Sequence, residues 1–223
     1  MGHTIQRECT RCGTCCAKGG PALHREDLPR LAQGAFARRD LITFRRGELV
    51  RDQISGNLVA LDEEIVKLHG RDTANWTCRF LNMVDHLCFI YENRPAECRA
   101  LDCWHPEEIS AMYDKERITR FDILGADSGL AELIRVHEES CGYAALERLA
   151  ARFDEDPAAR EGFAEAVRFD MAFRAVVQEK ASLPADELAF YFGRTLGDTA
   201  HMFGLRVVNT EHGPHVERES AAA

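Results

Sequence analysis

Eight of the nine cysteines fall into two groups whose spacing is that of metal-binding thiols. The first is Cys9-Thr10-Arg11-Cys12-Gly13-Thr14-Cys15-Cys16. Core packing asks for no period of three in cysteine, which when buried behaves as a small apolar side chain. A two-residue gap has a chemical reason: a tight turn aims both sulfurs at one ion or one cluster face. Gly13-Thr14 suits that turn, since glycine accepts positive φ and lets backbone N–H groups point at sulfur. The second group is Cys78, Cys88, Cys98 and Cys103. Two sets of four match the ligand count of a tetrahedral zinc or a cubane cluster. All eight are candidate metal ligands. Neighbouring side chains diverge, so Cys15 and Cys16 either serve two sites or include one thiol that is not a ligand. One centre or two, and which thiol goes where, both stay open.

Three chemistries compete for these thiols. Cys-x2-Cys-x2-Cys suits three corners of a [4Fe–4S] cluster with a fourth thiol from a distant segment, although Cys16 follows Cys15 directly where a bacterial ferredoxin has a three-residue gap. Paired Cys-x2-Cys knuckles suit structural zinc. A metal-dependent enzyme would use the ion as a Lewis acid or electron relay; the chain has no Gly-x-Gly-x-x-Gly nucleotide loop and no Cys-x3-Cys-x2-Cys run. The leading reading is an iron–sulfur protein in a redox or accessory role, with zinc as the alternative cofactor. His86 and His105, each two residues from a cysteine, could replace a thiol. Arg94 and Arg99 either pair with Glu92 and Glu97 or donate to sulfur. Cys141 reads as a lone helix-end thiol.

The surrounding composition is that of a soluble globular chain: 223 residues, 45% hydrophobic and 29% charged, room for one large domain or two small ones. No apolar run approaches the roughly 18 residues of a membrane span. Met1–Glu8 lacks an apolar signal-peptide core, so a cytoplasmic location is expected, where thiols bind metal rather than pair. Net charge is −9, but residues 1–51 carry +5 and the remainder −14. The basic stretch can offset a negatively charged metal–thiolate core. It lacks interleaved aromatics, which disfavours nucleic acid. The expected partner is another protein, with no membrane involved.

The elements that must position the thiols are short at first. Residues 24–37 read as a helix with Pro29 in its first turn, 41–52 as a hairpin turning at Arg46-Gly47-Glu48, and 58–70 as a helix on the spacing of Leu58, Leu61, Ile65 and Leu68. Asp62, Glu63 and Glu64 would be its solvated face. Residues 76–91 read as two short strands, and Pro95 starts a helical turn that carries Cys98; either this turn ends before Cys103 or the two thiols face different sites. Helices are expected over 107–117, 130–138, 143–153, 157–178 and 186–199, with Phe163, Val167, Met171 and Ala175 as a core stripe. Leu205–Asn209 reads as a strand.

The quoted motifs carry a resemblance. Cys9, Cys12, Cys15 and Cys16, then Cys78, Phe80 and Leu81, then Cys88, Ile90, Tyr91, Glu92, Arg94, Pro95, Cys98 and Arg99 resemble the YkgJ-like cysteine-cluster family, a zinc- or iron-chelating domain, over about residues 8–105. Cys103 fits its closing position loosely. The same signature is similar to one in flagellin lysine N-methylases, which implies protein lysine N-methylation as the form an enzyme would take. The expected fold class is α+β: a cysteine-rich metal-binding domain over 1–105, a helical domain over 106–210 and a disordered tail over 211–223.

Overall fold

The computed structural model describes residues 9–72, 75–211 and 213–219. The expectations for Met1–Glu8 and for positions 212 and 220–223 of the tail lie outside the described residues. In chain order the helices are α1 (Thr14–Ala17), α2 (Leu28–Ala32), α3 (Ala96–Ala100), α4 (Glu107–Met112), α5 (Arg120–Leu124), α6 (Gly129–Cys141), α7 (Tyr143–Ala151), α8 (Pro157–Lys180), α9 (Leu188–Phe192) and α10 (Leu196–Thr199). The strands are β1 (Leu41–Phe44), β2 (Leu49–Arg51), β3 (Leu58–Ala60), β4 (Ile65–Leu68), β5 (Leu205–Thr210) and β6 (Gly213–Arg218). The fold class is α+β, with a helical C-terminal region.

The chain forms two compact units, one from residues 1–42 and 65–123, the other from 43–64 and 124–223. This division differs from a split at 105: segment 43–64 packs with the helices, and the first unit runs on to 123. The first unit contains β4 packed under the chain from Pro21 to His24. Leu23 donates its N–H to Val66 (2.9 Å) and Leu68 donates to Pro21 (3.0 Å). Leu23, Leu41, Ile42, Val66 and Leu68 are buried there. Gly20 permits the approach, since a Cβ on it would stand 2.2 Å from the Leu68 carbonyl oxygen. The antiparallel bridges Gly70–Cys78 and Leu81–Cys88 tie the second cysteine group to this frame.

The second unit packs α6, α7 and α8 around Tyr143, Leu146, Phe153, Phe163 and Val167. Asp156 caps α8 by accepting from the Ala158 N–H, and Pro157 opens the helix. The β2–β3 and β5–β6 hairpins belong here, with Val50 opposite Val59 and Val207 opposite Val216.

Several expectations need correction. Residues 58–68 form β3 and β4, not a helix: Val66 and Leu68 are buried while Ile65 and Lys67 are half-buried, a period of two that the leucine spacing masks. Asp62 and Glu63 are exposed in the turn between these strands. β1 and β2 exist, but β1 pairs with β4 and β2 with β3, so 41–52 is no hairpin. α2 stops at Ala32. On α8 the buried face runs Phe163, Val167, Asp170, Arg174 and Val177, while Met171 is 45% exposed and Ala175 is exposed. Steps of four drift around a 3.6-residue helix, and the core follows the mean period. Gly193, at φ +67°, separates α9 from α10. Gly213–Arg218 of the expected tail is a paired strand.

Candidate metal centre

The first cysteine group folds back on itself. Arg11 at φ +56° and Gly13 at φ +76° reverse the chain, and Ala17 closes the single turn of α1 by donating to the Gly13 carbonyl at 2.8 Å. A Cβ on Gly13 would lie 3.3 Å from His86 Cβ. His86 Nδ1 sits 3.1 Å from the Cys12 carbonyl oxygen, so this nitrogen carries the proton and donates. Cys78 donates its N–H to the Cys16 carbonyl at 2.8 Å. Pro95 starts α3, which presents Cys98 and ends at Ala100, before Cys103.

Cys15 lies within electrostatic reach of Cys16, Cys78, Cys88 and Cys98, so thiols of both groups feel one another's charge. The Cys15 and Cys16 sulfurs are 4.0 Å apart. Donation from the Cys16 thiol brings Cys15 down to about 6. Cys16, as the donor, is pushed up by that bond, by burial and by the charges of Cys15, Cys78 and Cys98. Burial raises Cys78, Cys88 and Cys98, and charge on Cys15 raises each of them further. Cations oppose this: Arg79 acts on Cys78, and Arg94 and Arg11 act on Cys88. Cys12 joins the edge of the set; its thiol donates to Thr14 Oγ1 at 3.3 Å. Cys9 is exposed and accepts from the Arg11 N–H at 3.4 Å. Cys103, three residues beyond α3, is exposed.

This donor set fits a metal group. Burial keeps Cys16, Cys78, Cys88 and Cys98 from ionising beside the more acidic Cys15, and a metal cation would supply the positive charge that lets them ionise together. Soft sulfur donors suit zinc and iron–sulfur clusters above other biological metals. A family model, CxxCxxCC, described as "Putative zinc- or iron-chelating domain", matches residues 8–122. The chain belongs to this family. No curated protein and no solved structure matches it.

The CxxCxxCC domain contains the remaining sequence candidates. His105 pairs with Glu107 at 2.8 Å, both exposed. Arg94 donates to the Tyr91 carbonyl (2.8 Å) and the Cys98 carbonyl (3.4 Å). Arg99 donates to the Arg94 carbonyl (2.7 Å) and to Glu26. Arg94 is thus held by backbone carbonyls, and Arg99 by a backbone carbonyl, Glu26 and Asp27 at 4.0 Å, in place of the expected pairing with Glu92 and Glu97 or donation to sulfur. Glu97 serves elsewhere, accepting from Ala22 N–H at 2.8 Å and from His24 Nε2 at 3.2 Å. Asp27 is the residue that spacing missed. Fully buried, it accepts from His24 N–H at 3.0 Å and from Ala96 N–H at 2.9 Å, which fixes the start of the helix bearing Cys98. Nothing local in Glu26-Asp27-Leu28 signals that role.

A second cluster of ligand types lies in the other unit. Among the described residues, His137, Cys141 and Asp170 offer three ligand atoms within 4.8 Å of one another, all buried. Its hydrogen bonding is already closed. Asp170 Oδ1 accepts from His137 Nε2 (2.7 Å) and Arg174 Nε (2.8 Å), and Oδ2 accepts from Leu196 N–H (2.9 Å). Burial opposes its ionisation, but these donors hold Asp170 down to about 2. Burial also lowers His137, so the imidazole is neutral and carries its proton on Nε2. Nδ1 then faces Arg45 Nη1 at 3.5 Å. A metal on Nε2 would move that proton to Nδ1, against the Arg45 donor. The Cys141 thiol, pushed up to about 12 by burial, points at the Ala166 carbonyl (3.8 Å). This cluster is a buried structural network, and it accounts for Cys141.

Proposed function

We propose that the CxxCxxCC domain holds an iron–sulfur centre through thiols of both cysteine groups and acts in a redox or accessory role, with another protein as its partner. The observation that supports this reading is that charge on Cys15, in the first group, reaches Cys78, Cys88 and Cys98 in the second, with Arg11, Arg79 and Arg94 acting on Cys78 and Cys88. By spacing alone, the Cys-x2-Cys-x2-Cys run of the first group suits three corners of a cubane, with a further thiol from the second group. Within the fold, four of Cys15, Cys16, Cys78, Cys88 and Cys98 would supply its ligands, with Cys9, Cys12 and Cys103 at the periphery. The centre would give the protein one-electron chemistry; the chain would fix the thiols, exclude water from Cys78 and place Arg11, Arg79 and Arg94 against the negative charge.

Zinc is the second reading, since the paired Cys-x2-Cys knuckles suit it and the family description names it. Anaerobic purification with metal analysis separates the two. A brown protein with a broad visible band, iron and acid-labile sulfide supports the cluster. A colourless protein with stoichiometric zinc and no sulfide overturns it. No described helix is long and apolar enough to cross a membrane.

A further inference from the structure

Tyr91 stands in a short 3-10 turn, Tyr91–Asn93, that follows Cys88 and precedes the helix of Cys98. Its N–H reaches the Cys88 carbonyl at 3.2 Å. Two guanidinium groups lie against its ring: Arg11 at 3.9 Å from the centroid and Arg94 at 4.1 Å. One ring face admits a single guanidinium at that distance, so the two cations occupy opposite faces. Arg94 is locked in its plane by donating to the carbonyls of Tyr91 and Cys98. Arg11 lies between Cys9 and Cys12 in a left-handed conformation that a non-glycine residue rarely adopts. The contact that offsets this strain is the ring.

Two like charges on one ring repel each other. The arrangement is favourable only where negative charge lies close by, and both arginines act on Cys88. The stack also joins parts of the chain that share no secondary structure. One arginine belongs to the first cysteine group; the ring and the other arginine belong to the second.

We infer that Tyr91, gripped between Arg11 and Arg94, is the clamp that seats the Cys9–Cys16 loop on the second cysteine group. Tyr91, Arg11 and Arg94 are positioning residues: none donates to sulfur through its side chain, and each acts by fixing where the thiols stand. The clamp extends the metal-centre reading and rests on it for its purpose, but the seating itself is a property of the chain.

The test compares the wild type with Tyr91→Leu, which removes the ring, and Tyr91→Phe, which keeps it. Metal release to excess chelator is expected to be about tenfold faster in Tyr91→Leu and near wild type in Tyr91→Phe, since a phenyl face still binds guanidinium. Equal release from all three overturns the clamp. A second measurement needs no metal. In the metal-free protein a short bis-maleimide links thiols of the two groups, and peptide mapping counts the links. The yield should fall severalfold in Tyr91→Leu and recover in Tyr91→Phe; equal yields overturn the clamp. A wild type that retains no metal under anaerobic purification overturns the metal-centre reading instead, and the cross-linking yields then decide the clamp alone.

Discussion

Asp170 shows how much one buried carboxylate can hold. It sits on the inward face of α8, where the sequence pattern predicts only apolar residues, and its oxygens gather His137, Arg174 and the Leu196 N–H. Arg174 in turn donates to the carbonyls of Phe192, Gly193 and Arg194. The α9–α10 break at Gly193 is thereby tied to α8 through one ion pair. Removing one partner of such a pair leaves the other charge buried and uncompensated. Asp170→Asn should therefore destabilise the second unit by about 3 kcal/mol, read from urea unfolding followed by far-UV circular dichroism. A loss below about 1 kcal/mol would mean that water, not Asp170, satisfies Arg174. Periodicity alone could not expose this residue, because an inward-facing Asp among alanines and phenylalanines reads as a helix surface until its partners on other elements are known.

At the scale of elements, legibility followed the number of residues in each pattern. The longer helices α6, α7 and α8 announce themselves through turns of periodic burial, and α8 begins at the Asp156-Pro157 start signal. The short strands do not. β3 and β4 have three and four residues, and the leucines at 58, 61, 65 and 68 fit a helix as well as they fit two strands. Pairing with β2 and β1 decides the matter, and pairing is not a local property. The candidate centre lies between these cases. Its thiols were readable from spacing, and the α3 boundary between Cys98 and Cys103 was one of the two readings that spacing allowed. Spacing could not show which of the eight lie near one another, because that depends on where the α1 turn lands. Gly13 governs the landing. Gly13→Ala adds a Cβ at φ +76°, 3.3 Å from His86. The left-handed backbone alone costs about 1–2 kcal/mol with a side chain. The expected outcome is metal affinity lowered by roughly tenfold or more in a chelator competition, with the second unit's circular dichroism unchanged. Unaltered affinity would show that the loop can be placed without the Gly13 turn.

For the whole molecule, the two units should fail under different chemical insults. In the first, the proposed centre joins thiols that burial keeps from ionising, so removing its metal should loosen that unit. In the second, Cys141 is engaged in packing and the described residues hold no other cysteine. Anaerobic treatment with a strong chelator should abolish slow amide exchange in α3 and β4 while leaving α8 protected, as read by hydrogen exchange with mass spectrometry. Loss of protection in both units together would refute a metal dependence confined to the first.

Acid should do the reverse, and the sign can be worked out from two groups in the second unit. His137 titrates below its ordinary value because burial disfavours its cation. The unfolded chain therefore binds a proton there more readily than the native unit, and stability is lost as pH falls through the unfolded value near 6.5. Asp170 is held down to about 2, so its contribution is present above the unfolded value near 4 and disappears as pH falls from 4 towards 2. Of the other groups beside this pair, Arg45 keeps its charge because its neighbours outweigh its burial, burial keeps Cys141 and Tyr143 neutral, and Glu138 is a further carboxylate, meeting Arg45 Nη1 at 3.3 Å. Protection of α8 amides, corrected for intrinsic exchange, should begin to fall in an upper step as pH drops through about 6.5 and fall further in a lower step below about 4. In His137→Gln, which keeps a side-chain N–H able to donate to Asp170, the upper step should vanish while the lower one survives. An upper step that persists in His137→Gln would place the titration elsewhere and remove His137 as its cause.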